Sequence, residues 1–216
     1  MPTRSRRPIP TWTTYLQSIG DRSTLFSELD TRWPVQRALY PGSYLDLSPS
    51  TAITAVTYVD TDRRAAKFFG DPHLLRSELA DRTTSPAAAD GINEVSFLSA
   101  DYTSDLPFED GSFDLLISLY AGPIWDHCRR YLRPGGLLLA NTSHGDGSIA
   151  ALDPDLTLIA VVHHENGRYR IDEQGVEEYL IPKSPAAADP DKIRASHRGI
   201  AYTRTAFAYI FGFHAG

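Results

Sequence analysis

The sequence predicts an α/β protein with a doubly wound, mostly parallel sheet and helices on both faces. Strand-like and helix-like segments alternate from about residue 35 to residue 145, which is the pattern of parallel sheets with right-handed crossovers. The run FDLLISLY at 113–120 is apolar enough to be buried on both faces, as central parallel strands are. The chain has 216 residues, so these elements fit a single domain, which we place at residues 11–216.

Composition limits the class of protein and its partners. The chain is 42% hydrophobic and 22% charged, with a net charge of −6, and this excess of negative charge disfavours a nucleic-acid partner. The single cysteine, Cys128, excludes an intramolecular disulfide and a cysteine-based zinc site, and it fits a reducing cytoplasm. No apolar run approaches the ~20 residues that cross a bilayer, so no membrane partner is expected. Residues 1–10 are basic and proline-rich, and we expect a disordered tail there.

Each helix and strand is predicted by its own pattern. Residues 11–33 place apolar side chains three and four apart, which predicts a cap of one or two short helices, broken near Gly20. A helix over 62–80 has Asp62 as its N-cap and is interrupted at Gly70 and Pro72. A further helix, PIWDHCRRYL, ends at the turn RPGG. The predicted strands are VQRALYPG, TAVTYVDTD, EVSFLSADY, FDLLISLY and GLLLANTSHG.

The pattern changes in residues 150–216. Asn166-Gly167 lies between two alternating runs, which is a strong signal for a β-hairpin. Two roles for this hairpin remain open: it covers the active site, or it pairs with a second subunit in a homodimer. KSPAAADPDK is predicted as a loop, and the final segment IAYTRTAFAYIFGF fits a helix or a strand equally.

Two passages resemble a known family. FLSADYTSDLPFEDGSFDLLIS and RRYLRPGGLLLA are similar to the middle and late motifs of class I S-adenosylmethionine-dependent methyltransferases. In that family an acid ends the third strand, a Leu-Pro-Phe turn follows, and a Pro-Gly-Gly turn leads into the fifth strand. The resemblance covers about residues 35–145. It implies a Rossmann-like methyltransferase sheet, S-adenosylmethionine as cofactor and methyl transfer to an acceptor.

Two acids at consecutive strand ends are the candidate adenosine ligands. Asp60 ends the second strand, eighteen residues after Gly42, where a carboxylate can accept hydrogen bonds from both ribose hydroxyls. Asp101 ends the third strand, and the resemblance implies that it binds the adenine amine, with the backbone of Tyr102 nearby. Either acid alone fits the role of a helix cap or a turn residue, but the pair favours a cofactor site.

The first motif departs from the family pattern of an acid followed by three glycines in alternate positions. In one alignment YLDLSPS is the motif and Asp46 is its acid, but the spacing to Asp60 is then short for a crossover. We prefer ALYPGSY, in which Gly42 keeps the middle glycine and Tyr40 and Tyr44 replace the others. Asp46 then takes over the contact with the cofactor's amino group. Tyr40 and Tyr44 either stack on a bound ring or belong to the core.

Side chains that follow strands four and five are the candidate catalytic groups. Tyr120 follows the fourth strand, His144 and Asp146 follow the fifth, and His127 is expected to face solvent. His144 is the best candidate base because imidazole titrates near neutral pH, although a polar loop residue is an equal alternative. No metal ligand set is predicted.

The preferred function is therefore an S-adenosylmethionine-dependent methyltransferase acting on a small molecule. The alternative is a catalytically inactive methyltransferase-like binding or regulatory protein, which the altered first motif makes credible. An NAD-dependent enzyme is disfavoured because Gly-x-Gly-x-x-Gly is absent.

Overall fold

The computed structural model describes residues 10–80, 82 and 94–214, and the strands among them form one sheet ordered β3-β2-β1-β4-β5-β8-β6-β7. Strands β1 to β5 are parallel, whereas β8, β6 and β7 add an antiparallel edge. The predicted doubly wound, mostly parallel sheet is confirmed, and the strand order reverses between β1 and β4, where ligands bind in such folds. The expected tail at 1–10 lies almost wholly outside the described residues. The strands are β1 (Arg37–Pro41), β2 (Ala55–Val59), β3 (Glu94–Leu98), β4 (Phe113–Ser118), β5 (Leu132–Ala140), β6 (Leu156–Glu165), β7 (Arg168–Asp172) and β8 (Ala208–Phe213).

Helices cover both faces of the sheet, as predicted. Successive strand residues point to opposite faces, so Leu115 and Ile117 join one hydrophobic core while Leu116 joins the other. The first four helices pack on the first core and the last three on the second. In the described part of the chain, every helix is too short or too polar to cross a bilayer. The helices are α1 (Trp12–Ile19), α2 (Ser23–Arg32), α3 (Arg63–Phe69), α4 (Pro72–Leu79), α5 (Ile124–Cys128), α6 (Asp146–Ala150) and α7 (Pro190–Ser196).

Helix boundaries in the first half follow the local signals. Gly20 ends α1 with a φ of 76°, a conformation that costs glycine little. The Asp62 side chain accepts the Arg64 N–H at the start of α3, and Asp71 does the same for α4, whose first residue is Pro72. The predicted break between the two helices is therefore confirmed.

The crossover between β1 and β2 lacks a full helix. Strand β1 ends at Pro41, and the segment 42–54 contains only a short 3₁₀ helix, Ser48–Thr51. This agrees with the alignment in which ALYPGSY is the first motif and the following residues form a short irregular crossover. A ligand at this strand end therefore does not meet the N-terminus of a long helix, the usual anion site of such folds.

The C-terminal region supplies the antiparallel edge. Asn166 and Gly167, both with positive φ, turn the chain between β6 and β7, so the hairpin prediction is confirmed, and the ambiguous final segment is strand β8. The prediction of a loop for KSPAAADPDK is wrong for its last three residues, because α7 begins at Pro190. The Asp189 side chain caps that helix, and these local signals outweigh its low apolar content.

Candidate functional site

The two predicted adenosine ligands lie at neighbouring strand ends. Asp60 follows β2 and is partly buried, and its two carboxylate oxygens accept the N–H groups of Tyr44 at 2.9 Å and Asp62 at 2.8 Å. Asp101 follows β3 and is exposed. The Thr103 N–H and hydroxyl bond to one Asp101 oxygen at 2.9 and 2.8 Å and lower the pKa of Asp101. A carboxylate offers about four acceptor positions, so both acids keep the capacity to bind hydroxyl or amine groups.

The turn after β1 packs directly against the loop after β4. Gly42 has a φ of 65°, and its N–H bonds to the Val59 carbonyl at 2.8 Å. A Cβ at this position would lie 2.5 Å from the Cβ of Ala121 and 3.5 Å from the Tyr102 ring. Any side chain larger than hydrogen would therefore push the two loops apart.

Tyr102 contacts the segments that follow three strands, β3, β1 and β4. It follows β3, its ring lies beside Gly42 after β1, and its hydroxyl donates to the Gly122 carbonyl after β4 at 3.3 Å. Burial raises the pKa of Tyr102, so the phenol stays protonated near neutral pH. In the sheet order β3-β2-β1-β4, this side chain occupies the space between the predicted adenosine ligands and the β4 loop.

The carboxylates at these strand ends therefore keep free acceptor positions, and the Tyr102 ring lies next to them. The hydroxyl bond to Gly122 is a neutral hydrogen bond worth about 1 kcal/mol net. Micromolar binding is worth about 8 kcal/mol. Loss of the Tyr102 hydroxyl bond is consequently a small fraction of the free energy that micromolar binding provides.

Asp46 and Tyr40, predicted as cofactor contacts, lie inside the core. The Asp46 carboxylate is 1% exposed and accepts bonds from Arg22 at 2.8 Å, the Tyr40 hydroxyl at 3.1 Å and the Ser48 N–H at 3.1 Å. Burial, followed by the Asp46 charge, raises the pKa of Tyr40 well above its ordinary value. The Ser48 hydroxyl donates a fourth bond at 2.6 Å. The four bonds fill the acceptor positions of Asp46, so a cofactor amine reaches it only if the segment around residue 46 moves.

Tyr44 lies at the rim of the site. Its φ is 50°, its ring meets the edge of the Tyr15 ring at 5.0 Å, and the Arg64 guanidinium lies 5.1 Å from its centre. Together with its N–H bond to Asp60, these contacts hold the turn after β1 over the end of β2.

Tyr120, a predicted catalytic residue, projects from the end of β4. Its ring is 48% exposed, and its φ is 60°, a left-handed conformation that costs a non-glycine residue about 1–2 kcal/mol. The Arg22 guanidinium lies 5.0 Å from the ring centre. Strained residues of this kind concentrate at functional sites.

His144 and Asp146 lie behind the same loop. A Cβ at Gly122 would be 3.1 Å from the His144 Cβ, and the exposed His144 ring lies 3.0 Å from the Ser143 hydroxyl. Asp146 is 1% exposed. One of its oxygens accepts the Ile124 N–H at 2.7 Å and the Ser118 hydroxyl, while its other oxygen has no partner among the described residues. Burial raises the pKa of Asp146 to about 6.

His127 is exposed, as expected. Over residues 10–80, 82 and 94–214, no three His, Cys, Asp or Glu side chains converge as a metal site requires.

Arg22 is the residue that sequence reasoning missed. It lies between α1 and α2, is 4% exposed and pairs with Asp46. An arginine beside an aspartate and a serine, in the run GDRS, reads as an ordinary polar connection between helices. Its burial depends on Asp46, 24 residues later, and no local pattern indicates that contact.

Comparisons by sequence identify the central part of the chain. A family model described as a methyltransferase domain matches residues 50–140. The matched stretch begins after the turn at Gly42 and contains both Asp60 and Asp101, so the resemblance is carried by the middle and late motifs. No curated protein matches the sequence.

Comparisons of structure identify the fold. A methyltransferase from Geobacter sulfurreducens is similar with a TM-score of 0.50 and 13% identity, over 95% of this chain and 87% of that chain. The O-methyltransferase TomG from Streptomyces achromogenes, whose structure contains S-adenosylmethionine, has a TM-score of 0.41 and 14% identity, over 69% of this chain and 76% of that chain. The first of these likenesses supports the shared fold.

Proposed function

We propose that this chain, which has the class I methyltransferase fold and a methyltransferase-domain sequence over residues 50–140, transfers a methyl group from S-adenosylmethionine to a small molecule. One observation carries the proposal. Asp60 and Asp101 follow β2 and β3, which are neighbours in the sheet. Both acids therefore lie at the carboxyl ends of the parallel strands, close to the point between β1 and β4 where the strand order reverses. Two acceptors there suit a nucleoside.

The residues have distinct roles in this proposal. Asp60 accepts hydrogen bonds from the ribose hydroxyls, Asp101 accepts one from the adenine amine, and Gly42 permits close approach of the backbone. S-adenosylmethionine supplies a methyl group activated by its positive sulfur. The chain's contribution is mainly to hold the acceptor in line with that group, because proximity alone lowers barriers by several kcal/mol, roughly 7–11 in favourable cases.

Tyr120 and His144 are the proposed catalytic groups. Tyr120 belongs to the loop 119–123 and precedes Ala121, which lies against Gly42, while His144 packs against Gly122 of the same loop. A base is needed only when the acceptor carries a proton, and the exposed His144 is the proposed residue for that role. A small acceptor is proposed because the net charge of −6 disfavours nucleic acid. The cytoplasm is the proposed location because the chain has one cysteine.

A non-catalytic binding protein is the second candidate. It is favoured by the position of Tyr102 between the strand ends and by a first motif that keeps a single glycine. In this alternative the fold is retained and Tyr102 fills the cofactor space permanently.

Calorimetric titration with S-adenosylmethionine and with its demethylated product separates the two candidates. The full chain should bind both ligands with micromolar affinity. Asp101→Ala should weaken binding about tenfold, because it removes one hydrogen bond to a polar ligand group. Asp105→Ala is the matched control, since Asp105 lies on the same loop and is 92% exposed, and it should leave the affinity unchanged.

Two results would overturn the first candidate. One is a folded chain that binds neither ligand, also after Tyr102→Ala has emptied the space beside Gly42. The other is equal affinity for the Asp101 and Asp105 variants, which would place the ligand away from β3.

A further inference from the structure

Four aromatic side chains form a continuous wall beside the candidate site. The wall consists of Tyr120, Phe207, Tyr169 and His164. The His164 and Tyr169 rings stack with centroids 4.3 Å apart, Tyr169 and Phe207 meet at 5.1 Å, and Tyr120 and Phe207 meet at 6.2 Å. Tyr120 and His164 are exposed, Phe207 is partly buried and Tyr169 is buried, so the wall meets solvent mainly at Tyr120 and His164.

The wall lies on the edge of the sheet where the candidate cofactor site lies. Tyr120 lies two residues after the end of β4. Phe207 precedes β8, whose Tyr209 pairs with the last residue of β5, Ala140. Because β8 runs antiparallel to β5, Phe207 lies at the carboxyl end of the parallel strands. The β6–β7 hairpin carries His164 and Tyr169 to the same edge, so it flanks the site.

Two buried polar groups at the wall have no hydrogen-bond partner of good geometry in the described part of the chain. They are the Arg22 Nε and the Tyr169 hydroxyl, on side chains 4% and 7% exposed respectively. Burial raises the pKa of Tyr169 and the nearby Arg22 charge opposes that rise, so the two groups are close. Buried donors in native proteins are normally paired. The Tyr169 hydroxyl and Arg22 lie close enough to interact with each other, and an oxygen that entered between them would pair with both.

We propose that the acceptor is a planar aromatic molecule that carries an oxygen substituent, bound against the Tyr120 ring with that oxygen near Tyr169 and Arg22. Flat rings pack on flat rings, and a half-exposed tyrosine in a left-handed conformation supplies such a face at the strand end. The Arg22 charge is already matched by Asp46, so the substituent interacts by hydrogen bonding and its charge is secondary. That the bound molecule is a methyl acceptor rests on the proposed function; the aromatic binding site itself does not.

Equilibrium binding of 4-hydroxybenzoate to the full chain, measured by calorimetry without S-adenosylmethionine, tests the assignment. The saturated analogue 4-hydroxycyclohexanecarboxylate keeps the polar groups and loses the flat ring, and it should bind at least about fivefold more weakly. Tyr120→Ala should weaken binding of the aromatic probe about five- to tenfold. Tyr169→Phe should weaken it about fivefold, because it removes one hydroxyl.

Ile181→Ala is the matched control, since Ile181 is also 48% exposed and lies outside the wall, and it should leave probe affinity unchanged. Circular dichroism checks that each variant is folded. Absence of probe binding, equal binding of the two probes, or unchanged affinity in Tyr120→Ala would overturn the assignment. A chain that binds the probe but not S-adenosylmethionine keeps the aromatic site and loses the proposed activity, so the two failures are distinguishable.

Discussion

Asp60 and Asp46 are both candidate ligands on the same short stretch of chain, and they lie in opposite surroundings. Asp60 ends a strand at the carboxyl edge of the sheet, is bonded by two backbone N–H groups and stays partly accessible. Asp46 lies in the irregular crossover and is 1% exposed beneath Arg22. An acid is therefore available to a ligand when backbone groups hold it at a strand end. It is not available when a side-chain cation has drawn it into the core.

This contrast explains how the crossover holds its shape without a helix. In place of a helix, the crossover is held by a hydrogen-bond network in which the Asp46 carboxylate accepts bonds from Arg22, Tyr40 and Ser48. Such a network is stable only while its charges balance, because an unpaired charge in the core is costly.

Breaking the Asp46 network should give the largest effect. Asp46→Asn removes the negative charge and leaves the Arg22 guanidinium buried without an ionic partner, which should cost about 3–5 kcal/mol of unfolding free energy. Urea denaturation measures the loss. Asp110→Asn breaks an exposed pair with Arg130, in which Asp110 is 65% exposed, and should cost less than about 1 kcal/mol. Similar losses in both variants would contradict the description of Asp46 as a core residue.

Asp146 differs from both Asp60 and Asp46, because it is buried and no cationic side chain among the described residues pairs with it. Its folded-state pKa of about 6 lies above the ordinary value of 3.8, so folding favours the protonated form. The resulting stability is fully present below pH 4 and is lost as the pH rises through 6. A shift of this size corresponds to about 3 kcal/mol at 1.36 kcal/mol per pKa unit.

Asp146→Asn cannot titrate and is the reference for this prediction. Urea denaturation between pH 4 and pH 7.5 should show wild-type stability falling relative to Asp146→Asn, with a midpoint near the Asp146 pKa. Parallel pH profiles for the two proteins would show that Asp146 is ionised in the fold already at low pH.

The smallest expected effect concerns the accessible end of the site. Tyr102→Phe keeps the ring but removes the hydroxyl bond to the Gly122 carbonyl, so the ring should leave the cofactor space more easily. The affinity for S-adenosylmethionine should rise about fivefold, from the loss of about 1 kcal/mol of competing interaction. Tyr179→Phe removes a hydroxyl that contacts His163 instead and should not change the affinity. Equal titration curves for wild type and Tyr102→Phe would show that Tyr102 does not compete with the ligand.

Elements with strong local signals were predictable. The alternation of strands and helices, the cap at Asp62, the break at Gly70 and Pro72, and the Asn166-Gly167 turn each depend on residues a few positions apart. The sequence did not distinguish strand β8 from a helix, because the apolar residues of IAYTRTAFAYIFGF fit both the helical and the strand spacing. The segment is a strand because it pairs with β5 and β6. Helix α7 was missed because a single buried residue, Ile193, anchors it.

The sequence by itself determined that Asp60 directly follows a strand and that Asp101 comes soon after the next one, although β3 ends at Leu98, three residues before Asp101. Periodicity and turn residues locate the end of a strand to within a few residues without reference to the rest of the chain. Only the tertiary structure decided that Asp46 pairs with Arg22, that Tyr102 reaches Gly122 and that His164 and Tyr169 stand beside Phe207. Each of these contacts joins segments distant in the chain. Their energies come from burial and charge balance in the packed protein, which no local pattern records.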